Sequence, residues 1–218
     1  MTDGGRRPPG PATAAPLAPP WAPITATVAI LVAVVLSGLV WHSTRLPGVD
    51  AWVLRELGAH SDGWLFQLAT AVATALRAFT ISGIAVTAVF AWVALRRWSP
   101  VILAVAAPAT TLAAEKLLKP LVARRAPAST VFHYPSGHVP VAAALALSLV
   151  LIVHSAGVRR GIRMLVVVSA GLLVLLMAWA RLVETAHLLS DVVGGVSTAV
   201  AVTLAAALLL DSRRRGRD

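Results

Sequence analysis

The 218-residue chain contains no cysteine, and only two lysines stand against seventeen arginines. Without a thiol, disulfide staples, cysteine nucleophiles and zinc–thiolate centres are all excluded. Charge is scarce as well: 13% of residues are charged, 58% are hydrophobic, and the mean hydropathy is +0.81. A soluble domain of this length needs far more charge to cover its surface. Several uncharged runs instead approach the ~20 residues that a helix needs to cross a bilayer. The expected fold class is therefore all-α and polytopic, with helices packed against one another and against lipid. Acidic residues number nine against nineteen basic ones, for a net charge of +10. The arginines fall in short clusters between apolar runs, as topology anchors do, so no nucleic-acid partner is expected.

Residues 1–23 hold seven prolines with glycine, alanine and two arginines. That composition cannot bury a core and reads as a disordered cytoplasmic tail. The run 24–41 is too long for a signal-peptide core, and no small-x-small cleavage site follows it, so it is expected to remain as the first span. Further spans are expected at about 79–95, 101–118, 139–155, 164–180 and 188–210. Between the first two, the stretch 64–76 is too short to cross and is expected to form a short interfacial helix. The membrane domain is thus 24–212, followed by a basic cytoplasmic tail at 213–218. With both termini inside, eleven of the nineteen basic residues lie in cytoplasmic flanks, as the positive-inside rule requires. Lys116, Lys119, Arg124 and Arg125 then fall outside, where topology has no use for them, which points to a ligand.

Three stretches at that outer face hold the unusual polar residues: EKLLKPLVARRAP (115–127), YPSGH (134–138) and ARLVETAHLLSD (180–191). Ser136, Gly137 and His138 are expected in the first turn of a helix or the turn just before it, where free N–H groups and the helix dipole favour an anion. Glycine there lets a ligand approach the backbone closely. His187 and Asp191 are four apart and share a helical face. A carboxylate behind an imidazole fixes its tautomer and leaves the other nitrogen free to attack. The Arg181 guanidinium can fork two phosphate oxygens. Glu115 and Glu184 read as ion-pair partners of neighbouring basic residues, and Lys116 as an anchor whose head snorkels to water. His42, His60 and His154 read as packed or interfacial, while His133 is placed near the pocket mouth.

The order and spacing of these groups resemble the type 2 phosphatidic acid phosphatase superfamily, which also contains vanadium-dependent haloperoxidases. The family's second motif is present as Pro135-Ser136-Gly137-His138. Its third is present as Arg181-x5-His187-x3-Asp191, with Ala180 in place of serine. The first motif, Lys-x6-Arg-Pro, departs from the pattern. Counted from Lys119, Ala126 stands where the arginine belongs before Pro127, and Arg125 and Arg124 lie one and two positions early. The resemblance implies that His187 attacks phosphorus to form a phosphohistidine, with Asp191 orienting it and His138 protonating the leaving oxygen. It assigns phosphate binding to Lys119, Arg125 or Arg124, Ser136, Gly137 and Arg181, and it implies neither metal nor cofactor. The implied substrate is a lipid phosphate or diphosphate of polyprenyl diphosphate, phosphatidate or phosphatidylglycerophosphate type. It would be taken from the surrounding membrane lipids at the outer face of a bacterial plasma membrane. A phosphotransferase using the same histidine and a non-catalytic lipid-phosphate binder or transporter remain alternatives.

Overall fold

In a computed structural model of the chain, residues 15–43, 48–58, 63–124 and 134–216 are described. They form seven helices: α1 (Ala22–Leu39), α2 (Gly48–Gly58), α3 (Trp64–Leu95), α4 (Trp98–Val122), α5 (His138–Ser155), α6 (Arg160–Val183) and α7 (Leu189–Arg215), with no strand among the described residues. All except α2 are long and apolar enough to cross a membrane, with mean hydropathies of 1.6 to 2.2 for α1, α3, α4, α5 and α7 and 2.3 for α6. Six spans with a short helix between the first two therefore describe a multi-pass membrane protein.

That short helix is not where the sequence places it. Residues 64–76 are the first half of α3, a single 32-residue helix, and the short element is α2, upstream. The physical reason is the absence of a breaker. From Trp64 to Ser82 there is neither glycine nor proline, so the 3.6-residue pattern passes through Arg77 uninterrupted. This first half is also buried on one side: Ala69 and Ala73 pack against Ala180 and Val183 of α6, with Leu57 of α2 beside them.

The centre of the bundle is α5, which touches α3, α4, α6 and α7. It carries Ala142, Ala143, Ala144 and Ala146, and such small side chains let neighbouring helices approach closely where no hydrophobic effect drives them together. By contrast, α6 turns most of its apolar surface outward, as a lipid-facing helix should. At the end of the bundle opposite the α5 N-terminus, Leu17, Leu103, Leu151 and Leu204 form a shared core. There the Asp211 carboxylate accepts the backbone N–H groups of Leu17 (3.1 Å) and Ala18 (2.8 Å). The chain just before α1, given above to the tail, is thus docked from residue 17 onward. Residues 1–14 lie outside the described set, and the basic residues Arg213–Arg215 continue α7.

Candidate active site

Four helix ends meet at the start of α5. The last turns of α4 carry Glu115 and Lys119 on one face, joined by an ion pair of 2.5 Å. Ala123 then adopts a left-handed conformation (φ 50) as its N–H closes on the Lys119 carbonyl at 2.9 Å. This C-cap ends α4 and redirects the chain at Arg124. The α5 end is made by Tyr134, Pro135, Ser136 and Gly137, with His138 as its first helical residue. Tyr134 is fully buried. Its hydroxyl accepts a hydrogen bond from Ser37 Oγ (3.2 Å) and donates to the Ala33 carbonyl (3.4 Å), and burial pushes its phenol above the ordinary tyrosine range. The Ser136 N–H donates to the Asp191 carbonyl at 3.2 Å, tying this loop to α7.

The third contribution is the α6–α7 joint. Arg181 is paired with Glu184 at 2.5 Å. Thr185 (φ 51) turns the chain, and His187 follows before α7 starts at Leu189. Asp191 is fully buried. Its Oδ2 accepts the Leu188 N–H at 3.0 Å, capping α7, and lies 3.9 Å from His187 Nδ1. The His187 side chain is 9% exposed. The imidazole and carboxylate are neighbours, with the carboxylate on the Nδ1 side, but not on one helical face as expected: His187 stands in the turn ahead of α7, because the helix begins only at Leu189.

These elements enclose a cavity of about 510 Å³. Its polar wall is made of Lys119, Gly137, His138, Arg181 and His187, together with Glu115 and Arg77; Ile81, Leu112, Val141 and Met177 form an apolar wall. The charges that reach His138 are Arg181, Arg77 and Lys119 on the positive side and Glu115 on the negative. Arg181 Nε is buried with no hydrogen-bond partner among the described residues, and the same holds for Ser136 Oγ. Buried donors of this kind are costly unless something accepts from them. A Cβ added to Gly137 would fall 2.8–2.9 Å from the Glu115 carboxylate oxygens, so an anionic group already rests against this glycine. An opening that admits a carboxylate beside a helix N-terminus and three cations can admit phosphoryl oxygens.

Of the residues singled out in the sequence, His187, His138, Lys119, Gly137 and Arg181 line the cavity, and Asp191 and Ser136 stand behind it. Arg124 is buried beside Asp50 and Asp191 and does not line the cavity. Arg125, His133 and His60 lie outside the described residues, as does the Ala126-Pro127 step. Glu115 and Glu184 are the ion-pair partners expected of them. Sequence reasoning missed Arg77 and Asp50. Arg77 had a signal, being the sole charge in the 32-residue α3, and an ionisable residue in such a segment marks function by default. Among the described residues, no group of three or more His, Asp or Glu side chains forms a metal-binding cluster.

A multi-pass helical membrane protein with a cation-lined, histidine-bearing pocket at one end of its bundle is the class that fold and site define. More particularly, the profile described as the PAP2 superfamily matches residues 64–215, and the chain belongs to that family. No curated protein matches it. Among solved structures it is similar to the first transmembrane PAP2-type phosphatidylglycerolphosphate phosphatase from Bacillus subtilis, with a TM-score of 0.71. The two share 18% identity, and the match covers 89% of this chain and 98% of that one. At that identity the likeness is one of fold. Family membership itself supports a membrane phosphatase acting on a lipid phosphate.

Proposed function

We propose that the protein hydrolyses a lipid phosphate or diphosphate through a phosphohistidine on His187. One observation carries this reading: a single cavity brings both histidines together with Lys119, Arg181 and Arg77, against apolar walls. With Nδ1 turned toward Asp191, Nε2 of His187 is the attacking atom. A nitrogen–phosphorus bond forms as the bond to the leaving oxygen breaks, the lipid alkoxide oxygen of a monophosphate or the bridging oxygen of a diphosphate, and His138 gives that oxygen its proton. Water then attacks the phosphohistidine, His138 takes a proton from it, and phosphate leaves with His187 regenerated. Charge spread over the phosphoryl oxygens is met by Lys119, Arg181 and the amides at the start of α5. Such positioned donors are the main source of catalysis in phosphoryl transfer.

The apolar wall suits the tail of a substrate whose headgroup sits among the cations. Polyprenyl diphosphate, phosphatidate and phosphatidylglycerophosphate all meet that description, and the similar Bacillus protein is named for the last. The distribution of arginines supports an extracytoplasmic site with both termini inside. The reading is tested by phosphate release from a panel of these lipids by purified protein in detergent with EDTA, with and without an alcohol acceptor. Release by wild type and none by His187→Ala is expected. Phosphoryl transfer to the alcohol in preference to water would reassign the protein as a phosphotransferase, and full activity in His187→Ala would sink the mechanism.

A further inference from the structure

The buried guanidinium of Arg124 bridges two carboxylates from different helices. Nη1 donates to Asp191 Oδ1 at 2.6 Å and to Ser190 Oγ at 2.6 Å, and Nη2 donates to Asp50 Oδ2 at 2.8 Å. Asp50, near the start of α2, also accepts the Ser190 N–H on Oδ1 at 2.9 Å and the Ser190 hydroxyl on Oδ2 at 2.5 Å. Arg124 and Asp50 are 1% and 2% exposed, and Asp191 is 0% exposed. Such fork geometry suits arginine and no other cation.

We propose that Arg124 is a positioning residue that, together with Asp50 of α2, locks the Asp191 carboxylate behind His187. The inference rests on the reading of His187 as the nucleophile. Arg124 holds Oδ1 of Asp191, which fixes the rotamer and leaves Oδ2 for the Leu188 N–H and the His187 ring. Electrostatics points the same way. Arg124 is shared between two buried carboxylates, so the positive charge that develops on the His187 ring during attack finds an acceptor in the Asp191 side chain behind it. The short helix between the first two spans thereby acquires a role: it delivers Asp50 to the first turn of α7. The displaced arginine of the first motif acquires one too, since a side chain two positions early reaches the acid behind the nucleophile.

The test uses the full-length protein in nanodiscs, with steady-state kinetics on a lipid monophosphate and nitrogen NMR of labelled histidine. Arg124→Met should lower kcat about 10- to 100-fold, the range set by loss of a supporting group behind a metal-bound histidine, and should leave KM within about twofold. Arg124→Lys should recover part of the loss, because one ammonium satisfies one carboxylate, and Asp50→Asn should give a smaller loss of the same kind. In an Asp191→Asn background, Arg124→Met should change kcat by less than about twofold, since a residue acting through Asp191 has nothing left to act on. A variant that merely unfolds the protein would multiply the two losses. If Arg124→Met does not fold, the cycle of Asp50→Asn with Asp191→Asn makes the same test. A KM raised tenfold with kcat intact would make Arg124 a phosphate ligand and overturn the proposal, and so would independent losses in the cycle. The NMR readout does not depend on turnover. His187 should hold one tautomer, protonated at Nδ1, in wild type and lose it in Arg124→Met. If wild type proves inactive, that loss still upholds the positioning role while the phosphatase reading fails, and an unchanged tautomer rejects the role.

Discussion

Replacing Gly194 with alanine should damage both the fold and the pocket, although the residue lines no part of the cavity. A Cβ at Gly194 would lie 2.3 Å from Tyr134 Oη and 2.6 Å from its Cε2 and Cζ. Carbon atoms rest at ~3.5–4.0 Å from one another, so the ring must retreat by about 1 Å. It has nowhere to go: Tyr134 is fully buried among Val40 and Val122, and its hydroxyl is held by Ser37 and Ala33. Overpacking of this kind costs about 1–3 kcal/mol, and the severity of the overlap puts this site at the upper end. Loss of the Tyr134–Ser37 hydrogen bond adds about 1 kcal/mol. A total of about 3–4 kcal/mol corresponds to a fall in Tm of roughly 10 °C for a chain of this size. The effect should reach function as well, because Tyr134 immediately precedes Pro135 and Ser136, and its displacement moves the loop that starts α5. The assay is thermal unfolding in detergent followed by tryptophan fluorescence, paired with phosphate release per folded molecule. Gly171→Ala is the control: nothing lies within 4 Å of its new Cβ, and mid-helix alanine is favoured over glycine by about 1 kcal/mol. A Gly194→Ala protein melting within about 2 °C of Gly171→Ala would mean that the Tyr134 ring yields without cost. Shrinking the opposing ring in Gly194→Ala/Tyr134→Leu should cost less than the two single changes combined.

Gly137→Ala should behave differently, since its Cβ meets the movable end of Glu115 rather than a buried ring. Tm should stay within a few degrees while kcat/KM falls about 100-fold, as the added methyl group closes the approach to the helix N-terminus and parts Glu115 from Lys119; equal kinetics for Gly137→Ala and wild type would remove the cradle. Arg77 makes no ion pair with any described residue, whereas Lys119 and Arg181 each face a glutamate. Arg77→Met should raise KM about tenfold, consistent with a charged hydrogen bond of about 1.5 kcal/mol, and more for a diphosphate than for a monophosphate in parallel titrations. Asp211→Ala frees the Leu17 and Ala18 N–H groups at the far end of α7, ~30 Å from Asp191 along the helix. It should cost about 1–3 kcal/mol in thermal unfolding and leave phosphate release per folded molecule unchanged.

The helical membrane fold is legible in the sequence because lipid imposes a simple rule, that apolar runs of sufficient length become helices. Boundaries are less legible. Arg77 looks like the end of one segment and the start of another, yet nothing at that position breaks a helix, so 64–95 is continuous. The cavity's histidines and Arg181 are legible because each lies beside a helix end and their spacings carry the family's pattern, and Lys119 because it is a basic residue on the face where topology has no use for one. Arg124 is not legible in the same way. Its sequence neighbours suggest a phosphate ligand, but its partners Asp50 and Ser190 are 74 and 66 residues distant, and only the folded chain reveals that contact. Arg77 is hidden for a related reason: no local pattern says that α3 passes beside α5.

The phosphohistidine itself is tested by quenching turnover of a phosphorus-32-labelled lipid phosphate within milliseconds and mapping the label by mass spectrometry. An acid-labile, base-stable adduct is expected on the peptide containing His187 and absent from His187→Ala. Full-rate phosphate release with no labelled histidine would contradict it.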